Sequence, residues 1–201
     1  MPRAAVPVLL ATSIGVGVPG ESPPGLVDPS PALVGHLELG VREPSGHASV
    51  AVAASLARAW YDNTVPPPDG TSPRDSVILS RAGLGLVAEG RLPLGAFAPV
   101  VGGGAYFHRT SARAEGTVLG IRGTYYSEED DGFSLEARTG VDWQVSSAVA
   151  LGLRGGWTWA RATLPGLTQD GAVGGPSAEL RLTIDLTGFR AETKKDPAIP
   201  P

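Results

Sequence analysis

Cysteine is absent from the 201 residues, which removes a disulfide framework and thiolate-held metals. No run of about 18 apolar residues occurs without polar breaks, so a transmembrane helix is unsupported. A basic excess is lacking too: 16 Lys+Arg stand against 20 Asp+Glu, a net charge of -4 that leaves no cationic face for nucleic acid. Aromatics are scarce at 6%, so the places where they fall carry information. Gly and Pro, at 28 and 19, are plentiful instead. The glycines show no three-residue period, and apolar residues recur through the whole chain, so neither collagen nor disorder fits. Many short strands joined by turns account for both excesses.

What the sequence does contain is a period of two. Strict alternation of apolar with small or polar residues marks a strand between two different environments. In 32–42, Leu33, Leu37, Leu39 and Val41 oppose Ala32, His36, Glu38, Gly40 and Arg42. In 48–61, Val50, Val52, Ala54, Leu56 and Trp60 oppose Ser49, Ala51, Ala53, Ser55 and Ala57. The pattern recurs in 76–91, 97–110, 133–145, 148–161 and 177–189, where Glu136, Arg138 and Asp142, for instance, oppose Leu135, Val141 and Trp143.

The N-terminal stretch 4–18 reads in two ways. Arg3 followed by an apolar segment resembles a signal peptide, but no small-x-small cleavage site follows, only Pro19, Gly20 and Glu21. Val6, Val8, Leu10, Thr12, Ile14, Val16 and Val18 also share one face. A signal core has no reason to alternate, so a strand is favoured, with the export signal expected upstream of Met1.

Counting it gives eight strands, each near the roughly 9–11 residues that cross a bilayer on a tilt. The expected fold is all-β: an eight-stranded antiparallel up-and-down transmembrane β-barrel over residues 1–189, followed by a disordered tail at 190–201. Residues 117–126 form a competing strand, read as a hairpin extension above the membrane.

Connectors alternate short (43–46, 92–95, 146–147) with long (19–30, 63–74, 114–131, 165–176). Outer-membrane barrels have short periplasmic turns and long outer loops, so both termini are expected in the periplasm. Aromatics fall at strand ends: Trp60, Tyr61, Tyr106, Phe107, Phe133, Trp157 and Trp159 beside long loops, Phe97, Trp143 and Phe189 at the other end. Two interfacial girdles would produce this, built mainly from Trp60, Tyr61, Phe97, Phe107, Phe133, Trp143, Trp157 and Trp159.

The opposite face carries charge: Glu38, Arg42, Arg81, Glu89, Glu136, Arg138, Asp142, Arg154, Glu179, Arg181 and Asp185, with His36 among them. A membrane barrel can turn these inward, where they pair and neutralise one another. An ion-pair network is therefore expected in the lumen, with Arg138 as its hub. Arg58 and Arg161 break the rule on the lipid-facing parity, near outer ends where a long stem can snorkel.

The segments FAPVVGGGAYFH (97–108) and FSLEARTGVDWQVSSAVALGLRGGWTW (133–159) resemble the outer-membrane β-barrel superfamily that includes the transmembrane domain of outer-membrane protein A and the small X-type proteins. The resemblance implies a meander barrel and transfers no activity. The C-terminal aromatic of such barrels matches Phe189 only loosely, because Arg190–Pro201 continues past it.

Candidate chemistry is thin. His108 with Thr110, Ser111 and Glu115 is similar in content to the His–Ser–Glu set of lipid A deacylases, but Ser111 is three residues from His108 and faces the other way. The acidic run Glu128, Glu129, Asp130 and Asp131 offers oxygen to a divalent cation, although such runs are usually solvated. The 102–104 glycines lack the helix and Lys of a phosphate loop. His36 and His47 have no spacing that suggests a metal. No catalytic residue, cofactor or metal is expected.

The leading functional expectation is a structural or surface-interaction protein of the bacterial outer membrane. Its expected partners are outer-membrane lipid and lipopolysaccharide, with the barrel-assembly machinery acting during insertion, no nucleic acid, and a monomeric state. A narrow solute pore and a soluble lipocalin-like carrier are the alternatives. The carrier would need the aliphatic face turned inward.

Overall fold

A strand in lipid can leave no edge open, because unpaired N–H and C=O groups there find no water. A computed structural model, which describes residues 6–19, 27–29, 31–63, 75–118, 121–164 and 168–187, meets that requirement by closure. Its strands run β1 (Val8–Gly17), β2 (Val27–Pro29), β3 (Ala32–Arg42), β4 (Ala48–Asn63), β5 (Asp75–Arg91), β6 (Phe97–Val118), β7 (Ile121–Gln144), β8 (Val149–Leu164), β9 (Thr168–Ala172) and β10 (Gly175–Asp185). The ring is β1-β3-β4-β5-β6-β7-β8-β10, with β10 pairing back onto β1, so eight antiparallel strands close a barrel. The short β2 pairs with β4, and β9 continues the β8 hairpin.

β1 settles the N-terminal ambiguity in favour of a strand. It is held on both sides, from Leu9↔Asp185 to Gly17↔Ser177 and from Val8↔Val41 to Gly17↔Ala32. Tight turns close one end of the barrel. Gly46 and Gly95 adopt φ of 80° and 67°, a left-handed conformation that glycine takes without a Cβ penalty. Around Gly95 the Leu94 and Phe97 backbones exchange hydrogen bonds.

Sidedness follows the alternation. Leu84 and Leu180 are each 67% exposed on the outer wall, while Glu38, Arg138, Asp142, Arg154 and Arg181 are buried inside. That is the reverse of a soluble carrier, whose aliphatic residues fill its cavity.

Five strands run further than the sequence pattern indicates. β4, β5, β6 and β8 continue beyond the expected segments or start before them, and β7 begins at Ile121 rather than at 133. The β6–β7 ladder extends to Val118↔Ile121, with one irregularity between Ala114 and Glu115. Most of the expected 114–131 loop is thus a paired hairpin, as read for 117–126. Along these extensions the polarity inverts: Arg109, Glu129, Asp131 and Arg161 face outward, while Tyr61, Val77, Leu79, Ala112, Ala162 and Leu164 pack inward. An apolar outer face stops where lipid would stop, and above that level the barrel is built like a water-soluble one. A search for apolar-outward alternation therefore ends these strands early. Phe189, the 190–201 tail and residues 64–74 lie outside the described residues.

Candidate functional site: the filled lumen

Short-range geometry puts charges on the inner face, and the narrow ring brings distant strands within reach across it. Arg138 on β7 donates from Nη1 to Glu38 Oε1 of β3 at 2.6 Å, and its Nε lies 3.0 Å from Glu89 Oε1 of β5. Arg181 on β10 reaches the same two carboxylates, at 2.6 Å to Glu38 and 3.1 Å to Glu89. Arg154 on β8 joins Asp142 at 2.7 Å and Glu89 at 3.6 Å. Asp142 is also met by Arg91 at 3.0 Å. Gly152 leaves the volume this arrangement needs, since a Cβ there would collide with Asp142 Oδ1 and lie 3.0 Å from Arg154 Nη1.

Arg138 and Arg181 thus each contact both Glu38 and Glu89. Arg91 was not among the expected network residues. It lies on the same parity as Glu89, but it is the last residue of its strand, where the alternation gives least guidance. Three expected members go elsewhere. Arg81 sits nearer the end opposite the tight turns and donates to the Val173 carbonyl at 3.1 Å. Asp185, at the tight-turn end of β10, accepts from the Thr187 hydroxyl and backbone N–H. Arg42 lies at the mouth beside the tight turns with its Nε lacking a hydrogen-bond partner among the described residues. A vestibule of about 120 Å³ opens there, bordered by Arg42, Arg91, Asp142 and Gln144.

Glu136 and Glu179 form a second group, linked to the first through Arg138 Nη1, 4.0 Å from Glu136 Oε1. Both converge on His36: Nδ1 lies 2.9 Å from Glu179 Oε2 and Nε2 3.4 Å from Glu136 Oε2. Ser13 donates to Glu179 Oε2, and Ser177 donates to Oε1 at 3.3 Å. Above the group is a cavity of about 40 Å³, bordered by His36, Glu179, Ser55, Arg81 and Thr158. Farther out, the apolar cluster of Ala59, Tyr61, Val77, Leu79, Ala112 and Leu164 fills the interior.

One aromatic of the expected girdle, Tyr61, belongs inside, as does Tyr106, which shares the inward parity of Gly102, Gly104 and His108. Tyr61 is 1% exposed within that apolar cluster. Tyr106 is buried against Ala53 and Val87, its ring centroid 6.0 Å from that of His36. Because Trp60 and Phe107 face outward, a period of two requires Tyr61 and Tyr106 to face inward, so the parity signal was present in the sequence. Trp60, Phe107, Phe133, Trp157 and Trp159 do stand exposed on the outer wall near one end, with Phe107 and Phe133 edge-to-face at 5.4 Å. Phe97 and Trp143 pair across β6 and β7 at the other end. Two residues before Trp60 on β4, the Arg58 guanidinium lies 5.3 Å from the Trp60 ring centroid.

The remaining candidates divide across the wall. His108 and Thr110 are buried inside, with no hydrogen-bond partner for the Thr110 hydroxyl among the described residues. Ser111 has the opposite parity, so no triad assembles. The acidic run alternates as well. Asp131 and Glu129 face outward to Arg109, at 2.8 and 3.6 Å, while Asp130 accepts from the Thr163 N–H. The Arg109 hydrogen bond holds the exposed Asp131 carboxyl below its ordinary value of 3.8.

No family model and no curated protein matches the chain. Among solved structures, Ail, the attachment invasion locus protein of Yersinia pestis, in complex with the heparin analogue sucrose octasulfate, is similar over 89% of this chain and 97% of that one. Its TM-score is 0.52 at 8% identity. Neisserial surface protein A gives a TM-score of 0.48 at 13% identity, covering 90% and 97%. The Ail likeness is one of fold: a small closed antiparallel β-barrel.

Proposed function

We propose that this chain is a non-conducting, non-enzymatic structural or surface-interaction barrel of the bacterial outer membrane. The observation carrying this reading is the lumen, filled at two levels: by the Arg138–Glu38–Arg181–Glu89 network and by the apolar cluster around Tyr61 and Leu164. An eight-stranded ring is only wide enough for its own side chains, and here they occupy it. The inverted-polarity extensions are the contact surface, held clear of the bilayer. Outward Arg109 and Arg161 lie just past the aromatic belt, two residues beyond Phe107 and Trp159, at a height suited to phosphorylated headgroups of lipopolysaccharide. Val8 and Asp185 share the end with the tight turns, which supports periplasmic termini. The chain works as a monomer, inserted by the barrel-assembly machinery.

Planar-bilayer recording of the refolded protein tests the reading. No sustained conductance steps are expected, and stable large channels would replace it with a solute pore.

A further inference from the structure

Every other carboxylate of the central lumen network is met by an arginine at close range, but Glu136 and Glu179 are met first by an imidazole. The nearest guanidinium to Glu136 is Arg138 at 4.0 Å, and that arginine is already engaged by Glu38 and Glu89. Arg81 directs its Nη1 to a backbone carbonyl instead. One donor atom from each of His36, Glu136 and Glu179 lies within 4.8 Å of the other two. Tetrahedral ligands at Zn–N and Zn–O bond lengths of about 2.0–2.2 Å stand about 3.3–3.5 Å apart. The two carboxylates flank opposite nitrogens of the His36 ring, so one glutamate has to swing toward the other to bring all three donors to that separation.

A second observation points the same way. The Tyr106 hydroxyl, on a side chain 2% exposed and beside His36, hydrogen-bonds Glu136. Ser13 and Ser177 meanwhile orient Glu179, as groups surrounding a metal commonly orient its ligands.

The geometry points to a transition-metal site in the lumen, formed by His36, Glu136 and Glu179 and taking Zn²⁺ or a similar divalent ion. One imidazole with two carboxylates suits a borderline-soft ion better than Ca²⁺ or Mg²⁺, which favour oxygen throughout. The ion ties together β3, β7 and β10, strands that share no direct pairing, and so acts as a cross-brace rather than a catalyst. Enclosure between the ion pairs and the apolar cluster means that it loads during folding.

The test refolds untagged protein in detergent with Zn²⁺ or Ca²⁺, removes free metal by gel filtration and measures what remains. About one Zn²⁺ per chain and little Ca²⁺ are expected. Glu179→Gln lowers zinc retention by at least about tenfold, while Asp131→Asn, on the outer wall, leaves it unchanged. X-ray absorption is then recorded on the His47→Gln/His108→Gln protein, in which His36 is the one remaining histidine of three. An imidazole in its zinc shell supports the site even if Glu179→Gln fails to fold. Absence of retained zinc, an all-oxygen shell, or undiminished retention in a folded Glu179→Gln protein overturns it. In that case His36 bridges the two carboxylates as a protonated imidazolium.

Discussion

Arg138 and Glu38 are 100 residues apart and on strands that are not neighbours, yet Nη1 and Oε1 lie 2.6 Å from each other across the barrel. Removing the cation strands charge that has little water to turn to. Arg138→Met is expected to destabilise the barrel by about 3 kcal/mol, the low end for breaking a buried pair, because Arg181 still touches both glutamates. Adding Glu38→Gln should recover part of the loss. Urea titration of tryptophan fluorescence in lipid vesicles measures both, and an Arg138→Met protein as stable as the wild type contradicts the network.

The outer wall gives a contrasting expectation. Leu84→Arg and Leu153→Arg place a charge among the exposed leucines of β5 and β8 and should each cost about 2–4 kcal/mol in a bilayer. A negligible cost at both positions in vesicles would mean that these faces do not meet lipid.

Above the inversion the rule reverses. Leu164, with 0% exposure, lies inside the apolar cluster, so Leu164→Ala should cost about 2–4 kcal/mol. Arg161→Leu on the facing-out parity should change stability by less than about 0.5 kcal/mol. Comparable effects from the two variants would remove the distinction between the levels.

Absence of native cysteine makes topology directly measurable. Thr124→Cys, exposed in the β6–β7 extension, should react with a membrane-impermeant maleimide on intact cells. Ser45→Cys and Ala96→Cys, exposed in tight turns, should react only after the outer membrane is permeabilised. The opposite labelling pattern would invert the proposed orientation and leave the barrel intact.

Acid titration separates the outer pair from the lumen. Asp131 is held below 3.8 by its hydrogen bond from Arg109, so its small stabilising contribution is present above that value and fades as pH falls through the lowered one. Carbon-detected NMR of the carboxyl should show its midpoint rising toward the ordinary value in Arg109→Ala. Full exposure keeps the effect salt-sensitive. An unmoved midpoint would show that the pair does not persist in solution.

Much of this molecule was legible along the chain because strand parity is local. A residue's face is set by covalent geometry two positions at a time, so Leu84 outward and Arg138 inward follow from their neighbours. The strand count and the tight turns at Gly46 and Gly95 were readable for the same reason. The same parity placed Tyr61 and Tyr106 inside once Trp60 and Phe107 were outside, although strand-end position alone pointed to the girdle. Tertiary structure decided which inward groups meet. His36, Glu136 and Glu179 come from three strands separated around the ring, and nothing in their spacing along the chain brings them together. Their convergence depends on the diameter of the closed barrel and the stagger of its strands. The outer extensions were hidden for a different reason. Beyond the lipid the solvent changes sides, and the same alternation continues with its polarity reversed.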